Sequence, residues 1–375
     1  MTGRAAASRP TTAALIDLDA LQHNLDVLRR NAAPARFMIV VKADAYGHGA
    51  VPVAHAAVAA GVRDIGALDV PNALALRASG IDEATHVLAW LHTPRQDFTR
   101  AVDAGVELTA STVAELDRIA TSRSSRTPVV QFKVDTGLHR NGSAVAAWPA
   151  LMARAARLRD EGLITVKGVW THIAEASEEE DTKAMRRFDA AIETAAHEGV
   201  RFAVRHLAAS SAAFRRQDAR YDMVRVGGHS WGIPSFDGIT PGEMGLVPVM
   251  TLVTGVDAVV RRGSRLVAHL PVGYSDGLPR EARGLVHVAI RGRRYLLTEE
   301  IRAADTLVPV SADVRAGDLA YLFGTGEHGE ETVRQWGDQI GTLGDEIVTR
   351  LAPALPRLYL GRAARRLPPG FATLP

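Results

Sequence analysis

The sequence predicts an α/β protein in which an N-terminal barrel of parallel strands precedes a mainly antiparallel β-domain. From residue 37 to about 227, short runs rich in Val, Ile and Phe alternate with longer stretches of helical period. After about residue 245, short strand candidates follow one another with few helical stretches between them. The segment between these regions, FDGITPGEMGL at 236–246, has the Pro and Gly typical of a domain boundary. A doubly wound open sheet has the same local signature as a barrel and is the alternative.

Eight strand candidates make up the N-terminal region. They are the runs at 37–42, 64–69, 86–91, 106–111, 129–135, 164–170, 202–208 and 223–227. Helical stretches lie between them, including those at 50–61, 71–79, 112–120 and 181–199. Pro71 suits a first helical turn, and Gly61, Gly80 and Gly105 suit helix ends. Eight such strand–helix units are enough to close a barrel.

The C-terminal region has the texture of an all-β domain. Its strand candidates are the runs at 250–260, 264–274, 284–290, 293–298, 305–311 and 318–324. We therefore place the barrel in residues 12–240 and the β-domain in residues 241–375. We expect the strand at 11–17 to join the β-domain.

Composition excludes several classes of protein. The chain has 375 residues, of which 47% are hydrophobic and 23% charged, so it can bury a sizeable core. A net charge of +2 with scattered basic residues argues against a nucleic-acid partner. The absence of cysteine excludes disulfides and Cys-ligated zinc, and no metal site is predicted. Because no segment reaches the roughly 18 apolar residues of a membrane span and the first ten residues lack a signal-peptide core, we expect a cytoplasmic protein with a short loose N-terminus and no membrane partner.

Polar side chains cluster where the predicted strands end. They are Lys42, Lys133 with Asp135, His172, His206 with Ser210, and Arg225 with Gly227 and Gly228. Each alone is compatible with a solvated or structural residue. In a parallel barrel, however, all these positions lie at the same end, where barrel enzymes hold their active sites. The set therefore predicts an active site.

Lys42 ends an apolar run and is followed by a turn containing Gly47 and Gly49. Partial burial lowers the pKa of a lysine, so that its free amine can condense with a carbonyl. The two glycines allow the backbone to approach an anion, and a helix predicted to begin near Ala50 favours phosphate at its N-terminus. Together these features indicate pyridoxal phosphate as the cofactor.

The motif VVKADAYGHG, residues 40–49, closely resembles the pyridoxal-phosphate lysine motif of alanine racemases. The similarity continues through FKVDTGLHRNG (132–142), VKGVWTHIA (166–174), VRHLAASSA (204–212), MVRVG (223–227), LPVGYSDGLPR (270–280) and EIVTRLAPALPRLYL (346–360). These motifs span nearly the whole chain. The resemblance implies a (β/α)8 TIM-type barrel, a C-terminal β-domain and a head-to-tail homodimer whose active sites are shared between chains.

The resemblance also implies a role for each site residue. Lys42 holds the cofactor and acts as one base, and Tyr274 of the neighbouring subunit acts as the other, as inversion at Cα requires. Arg225 faces the pyridine nitrogen, with His172 and His206 on either side of it. The remaining cofactor residues are Tyr46, Ser210, Gly227 and Gly228 at the phosphate, Arg140 at the phenolic oxygen and substrate carboxylate, and Lys133 as a possible carbamylated lysine that orients Arg140.

Three positions depart from the pattern of that family. Ala209 replaces a phosphate-binding asparagine, and Asp345 replaces a phosphate-binding tyrosine. Ala303 replaces a methionine whose backbone helps to hold the substrate carboxylate. The chain is also short before HLPVGY, where the family has a tyrosine-bearing loop that narrows the substrate entrance. The two bases and Arg225 are retained, so we expect the racemase chemistry, with weaker cofactor binding and a wider entrance that admits a substrate larger than alanine.

Two alternatives use the same fold. A remodelled carboxylate pocket could redirect the chemistry towards that of a decarboxylase or an aldolase, although the arginine at the ring nitrogen counts against decarboxylation. The second alternative is a homologue that binds the cofactor without turnover. We favour an amino-acid racemase acting on alanine or a larger relative.

Overall fold

The computed structural model describes residues 12–175 and 177–374. The predicted loose N-terminus and the first residue of the predicted strand at 11–17 lie outside the described residues. The chain separates into two compact units. The barrel unit contains Leu25–Ala45 and Val53–Ser230; the β unit contains the described residues up to Asn24, Tyr46–Pro52, and the described residues from Trp231 onward. The predicted division into domains at residue 240 stays a prediction.

The barrel unit is built on eight parallel strands. In chain order, and after β1 (Thr12–Asp17), they are β2 (Arg36–Val40), β3 (Asp64–Asp69), β4 (His86–Leu91), β5 (Glu107–Ala110), β6 (Val129–Lys133), β7 (Thr165–Trp170), β8 (Val204–His206) and β9 (Met223–Val226). The sheet order is β8-β7-β6-β5-β4-β3-β2-β9. From β2 to β8 each strand pairs with its neighbour in sequence, and β9 returns to pair with β2, which leaves β8 and β9 at the two edges of a nearly closed barrel. The predicted barrel is therefore confirmed, and the doubly wound alternative is wrong because the strand order never reverses.

Helices alternate with these strands because the sequence supplies their start and stop signals. They are Leu18–Ala32, Ala50–Ala59, Val70–Ala78, Thr99–Asp103, Val113–Ala120, Trp148–Asp160, Glu178–His197 and Ser210–Arg215, followed later in the chain by Val333–Ile340 and Gly344–Thr349. The Asp69 side chain caps its helix by accepting a hydrogen bond from the Asn72 backbone N–H at 2.9 Å. Gly61, Gly80 and Gly105 have left-handed φ angles of +86°, +98° and +64°, which confirms them as helix ends.

The inside of the barrel mixes apolar and polar side chains. Met38, Leu88, Val204 and Met223 pack together, with Trp90 against them. Buried polar residues on the barrel strands include Asp64, Glu107, Thr109, Gln131, Lys133, His206 and Arg225. Burying such groups is costly unless each finds a partner, so their hydrogen bonds indicate what the barrel interior is built to do.

The β unit is mainly antiparallel, as predicted. Its strands are β10 (Met250–Gly255), β11 (Ala258–Arg262), β12 (Arg265–Leu270), β13 (His287–Ile290), β14 (Arg293–Leu296), β15 (Thr306–Val310), β16 (Leu319–Phe323) and β17 (Arg357–Leu360). The larger sheet has the order β14-β13-β16-β10-β1-β17, and the smaller has the order β11-β12-β15. β1 pairs antiparallel with β10 and parallel with β17. None of the helices in residues 12–175 and 177–374 is long and apolar enough to cross a membrane.

Candidate active site

The predicted strand-end residues of the barrel lie at one end of the parallel sheet. Strand pairing sets Lys133 beside Trp170, and Trp170 beside His206. On the other side, Arg225 of β9 pairs with Met38 of β2, the strand that leads to Lys42. This register explains why residues far apart in sequence share one site.

Arg225 is the centre of the cluster. It is 5% exposed, and its guanidinium donates to four acceptors. Two are the backbone oxygens of Thr171 at 2.7 Å and Leu207 at 2.9 Å. The other two are the Nδ1 atoms of His206 and His172, both at 3.2 Å. Burial lowers the pKa of Arg225 to about 9, which is still above neutral pH, so the guanidinium remains charged.

The two histidines beside Arg225 are neutral. Burial, together with the charge of Arg225, lowers the pKa of His172 to about 2. The same two causes hold the pKa of His206 well below its ordinary value. Each ring therefore offers Arg225 a lone pair on Nδ1 rather than a competing proton.

Trp170 forms an aromatic surface beneath the cationic groups. Its ring stacks on His206 with centroids 5.7 Å apart and planes inclined by 12°. The guanidinium carbon of Arg225 lies 5.0 Å from the Trp170 ring centroid, and Lys133 Nζ lies 4.3 Å from it. The Trp170 indole N–H donates to Thr109 Oγ1 at 3.2 Å, which fixes the ring.

Lys133 is a buried amine with an unusual proton affinity. It is 3% exposed, and its Nζ donates to Asn141 Oδ1. Burial, with further contributions from the charges of Arg225 and Arg140, lowers the pKa of Lys133 to about 7. Arg140 itself is exposed at the same end of the barrel. An amine half deprotonated at neutral pH is a nucleophile.

The segment that carries Lys42 has a backbone that the sequence did not predict. Ala43, Asp44 and Ala45 have φ values of 52°, and Tyr46 has 54°, so four consecutive non-glycine residues are left-handed. Each such residue costs roughly 1–2 kcal/mol, which is characteristic of functional sites. Lys42 is half-buried, and its charge contributes to lowering the pKa of His172.

Ser210 and Gly227 are in direct contact. The Ser210 hydroxyl oxygen accepts a hydrogen bond from the Gly227 backbone N–H at 3.1 Å. Ala209 occupies the cap position of the helix Ser210–Arg215, with no side-chain hydrogen bond to it. Gly228 begins the next helical turn, Gly228–Trp231.

Gly47 and Gly49, in the β unit, are required by packing within the protein. A Cβ at Gly47 would collide with the backbone oxygen of Val348, and one at Gly49 with the hydroxyl of Tyr359. This is a different reason from the close approach of an anion that the sequence suggested. Nearby, the Tyr46 ring lies 5.9 Å from that of Trp231.

Tyr274 lies in an exposed, firmly anchored turn of the β unit. It is 49% exposed and begins the turn Tyr274–Asp276. Its backbone N–H donates to Arg302 O at 2.9 Å, and the Ser275 N–H donates to Ala303 O at 2.9 Å. The backbone of the turn is thus fixed, while the phenol ring faces outward. Asp345, half-buried, lies in the first turn of the helix Gly344–Thr349.

Sequence reasoning missed several residues of the barrel cluster. These are Glu107, Thr109, Gln131, Asn141, Trp170 and Thr171. A signal for Gln131 was available, because it lies two residues before Lys133 in β6 and therefore on the same face of the strand. A glutamine on the inward face of an otherwise apolar strand indicates a buried hydrogen-bond partner.

The fold and the strand-end cluster define the class of two-domain barrel enzymes with an active site at the carboxyl ends of the strands. The family model "Alanine racemase, N-terminal domain" matches residues 16–234, and "Alanine racemase, C-terminal domain" matches residues 255–359. The chain therefore belongs to the alanine racemase family.

Individual relatives agree along most of their length. The chain is 39% identical over 369 residues to the alanine racemase of Mycobacterium bovis, covering 92% of this chain and 95% of that protein. It is also 39% identical to that of Thermobifida fusca, covering 93% and 98%. The crystal structure of alanine racemase from D-cycloserine-producing Streptomyces lavendulae has a TM-score of 0.90 at 34% identity, covering 94% of this chain and 98% of that one. Alanine racemase from Streptomyces coelicolor A3(2) has a TM-score of 0.89 at 36% identity, covering 93% and 98%.

Proposed function

We propose that this protein is a pyridoxal-phosphate-dependent racemase that interconverts L- and D-alanine. The observation that carries the proposal is the buried Arg225 guanidinium. It lies between two neutral histidines, at the same end of the barrel as Lys42. The relatives that cover most of the chain are named alanine racemase, which supports alanine as the substrate and does not favour a decarboxylase or an aldolase.

The donor set of the barrel fits an anionic aldehyde cofactor. The positive charges of Lys42, Arg140 and Arg225 all act on His172, so they lie close enough together to attract an anion. The Ser210 hydroxyl, whose oxygen accepts from the Gly227 N–H, keeps its own O–H as a donor of the kind that binds phosphate. We assign the binding of pyridoxal phosphate to Lys42, Tyr46, Arg140, His172, His206, Ser210, Arg225, Gly227 and Gly228.

When bound, pyridoxal phosphate supplies an electron sink that acidifies the Cα–H bond of an amino acid. Lys42 then accepts or returns a proton on one face of Cα through its Nζ. Tyr274 does the same through its phenol oxygen on the opposite face. Inversion requires both groups, because a single base returns the proton to the face from which it came.

Arg225 limits the reactions that compete with the return of a proton to Cα. A guanidinium that stays charged gives no proton to a ring nitrogen. His172 and His206 hold the guanidinium in place by accepting hydrogen bonds, and their low pKa values keep them from acting as acids. The barrel therefore favours simple return of a proton to Cα over competing reactions.

We further propose that the active enzyme is a homodimer. Tyr274 is 49% exposed in the single chain, although its turn is anchored to Arg302 and Ala303. An anchored turn that presents a phenol outward suits insertion into the active site of a second copy. We assign Ala303 to the substrate carboxylate, through its backbone, as for the methionine that it replaces.

Lys133 suits carbamylation. Its pKa of about 7 leaves a large neutral fraction at physiological pH. The neutral amine adds to carbon dioxide, forming an N–C bond and releasing a proton, and the product carries a negative charge. That charge would orient the exposed Arg140 towards the site. Mass spectrometry of the intact protein in bicarbonate buffer, with Lys133→Ala as the control, would detect the added carbon dioxide.

An amino-acid panel tests the function. Purified protein with added pyridoxal phosphate is incubated with single enantiomers, and the product is resolved by chiral chromatography. We expect conversion of alanine in both directions and none with Lys42→Ala. Release of carbon dioxide without inversion would instead indicate a decarboxylase, and cofactor binding without either reaction would indicate the non-catalytic homologue.

A further inference from the structure

A continuous chain of buried hydrogen bonds runs from Arg225 through the middle of the barrel. His206 Nε2 lies 2.8 Å from Gln131 Oε1, and Gln131 Nε2 donates to Glu107 Oε2 at 2.6 Å. The other carboxylate oxygen of Glu107 accepts from Lys167 Nζ and, at 2.9 Å, from His86 Nδ1. Glu107, Gln131 and His206 are 4%, 1% and 0% exposed. Their partners are therefore fixed by the protein rather than by solvent.

The protonation state of Glu107 determines which group donates and which accepts in every hydrogen bond of this chain. Burial alone would raise the pKa of Glu107, but His86, Lys167 and Gln131 together hold it below its ordinary value, so the carboxylate is ionised and only accepts. Gln131 must therefore present its NH2 group to Glu107 and its oxygen to His206. His206 must then carry its proton on Nε2, which leaves the Nδ1 lone pair for Arg225.

The neighbours of Gln131 and His206 hold both side chains in place. A Cβ at Gly168 would come within 2.7 Å of Val204 O and 2.9 Å of Gln131 Oε1, so glycine at that position leaves room for the amide. Trp170 covers one face of His206 and prevents the ring from swinging away. Neither Glu107 nor Gln131 contacts Arg225 directly, and they act on it only through His206.

We propose that Glu107 and Gln131 are positioning residues for racemisation, which set the Nε2–H tautomer of His206 and thereby hold the Arg225 guanidinium in its working orientation. The kinetic consequence rests on the proposed function, whereas the tautomer is a property of the protein without cofactor. Lys167 and His86 fix the far end of the chain by donating to the same carboxylate oxygen.

The substitution Glu107→Gln makes a directional prediction. Lys167 can only donate, so the new amide must turn its oxygen towards Lys167 and its NH2 group towards Gln131. Gln131 then flips and donates to His206 Nε2, which moves the His206 proton to Nδ1, against Arg225. We expect kcat for alanine to fall on the order of tenfold with KM nearly unchanged. Losses of this size are typical when a residue that orients an active-site group, without contacting the substrate, is replaced.

The exchanged pair Glu107→Gln with Gln131→Glu is the matched rescue. Its carboxylate at position 131 accepts from both neighbours, so His206 should carry its proton on Nε2 again and kcat should recover to within about threefold. Trp148→Phe is the control, because it removes a buried hydrogen bond, from the Trp148 indole N–H to Ala191 O, that involves neither the chain nor Trp170. We expect it to lower the melting temperature without moving the His206 proton.

The readout is 15N NMR of histidine-labelled apoprotein, with the His206 signal assigned from a His206→Asn variant. The proposal predicts Nε2–H in the wild type, Nδ1–H in Glu107→Gln and Nε2–H in the exchanged pair. An unchanged tautomer in a folded Glu107→Gln protein, or a kcat loss that the exchanged pair does not restore, would overturn it. A wild type with the expected tautomers and no racemase activity would instead refute the proposed function alone. Should Glu107→Gln fail to fold, the same measurements on Gln131→Lys decide, because an ammonium beside the ionised Glu107 can only donate to His206 Nε2: a proton moved to Nδ1 supports the proposal, and an unchanged Nε2–H signal overturns it.

Discussion

The Arg225 cluster and the Tyr274 turn hold their proposed active-site groups in two different ways. Arg225 is 5% exposed and makes four hydrogen bonds, all of them to residues of the barrel unit. Tyr274 is 49% exposed; its backbone N–H donates to Arg302 O, and the guanidinium carbon of Arg280 lies 5.7 Å from its ring centroid. The barrel group is thus fully positioned within one chain. The tyrosine ring lies at the surface of the single chain, and we expect a second copy of the chain to complete its surroundings.

The largest expected effect tests whether the two bases work on opposite faces of Cα. Tyr274→Phe removes the phenol proton carrier but retains the ring, and loss of a general base costs about 10²–10⁴-fold in rate. We expect deuterium exchange at Cα in heavy water to be suppressed from one enantiomer of alanine far more than from the other. Lys42→Ala, assayed with an added small amine, should show the opposite preference. Equal loss from both enantiomers in both variants would exclude the two-base assignment.

The second prediction contrasts the stabilities of the two regions. Arg225→Met leaves the carbonyl oxygens of Thr171 and Leu207 without their buried donor, and each unsatisfied group costs about 1–3 kcal/mol. The substitution also removes the desolvation cost of a buried guanidinium, which offsets part of this loss. We therefore expect a net loss of about 3 kcal/mol in the free energy of unfolding. Tyr274→Phe, at an exposed side chain, should stay within about 0.5 kcal/mol of the wild type. Urea denaturation of the apoproteins measures both, and equal losses would remove the contrast drawn here.

The sequence predicted which residues lie together at the end of the barrel, but not the hydrogen bonds between them. Strand periodicity and strand-end polar residues were enough to place Lys42, Lys133, His172, His206 and Arg225 at one end of a barrel, because parallel strands force that arrangement. The hydrogen bonds among them depend on side-chain distances across strands, which no local pattern contains.

Other features were out of reach for related reasons. Nothing in Ala43-Asp44-Ala45 signals a left-handed backbone, since alanine is ordinarily right-handed and only tertiary packing can impose the strain. Gly47 and Gly49 were recognised as special, but the atoms that require them lie some 300 positions further along the chain, at Val348 and Tyr359.

The third prediction uses the pH dependence of Lys133. Its pKa is about 7 in the folded protein and 10.5 in an ordinary setting, so between these values the unfolded chain binds one more proton than the folded one. Stability contributed by this site therefore rises with pH across that range, with a slope approaching about 1.4 kcal/mol per pH unit. Urea midpoints in bicarbonate-free buffer from pH 7 to about 8.5, below the pKa of about 9 of Arg225, should show this slope, and Lys133→Met should lack it. Bicarbonate should raise the wild-type midpoints if the amine becomes carbamylated, because carbon dioxide is then bound by the folded protein. Identical slopes in wild type and Lys133→Met would contradict the low pKa.

The smallest expected effect concerns the strained segment that connects Lys42 to the β unit. Ala43 is exposed with φ 52° and ψ 50°, a conformation that glycine adopts without a Cβ clash. Ala43→Gly should therefore raise the free energy of unfolding by about 1 kcal/mol. Ala75→Gly is the matched control: Ala75 is exposed in the right-handed helix Val70–Ala78, where the same change should lower stability by about 1 kcal/mol. If the strain also fixes Lys42, Ala43→Gly should lower kcat by severalfold while raising the melting temperature, whereas Ala75→Gly should leave kcat unchanged. A loss of stability in both variants would show that the left-handed turn carries no strain. Lys42 would then resemble Tyr274, as a group whose position the single chain does not fully fix.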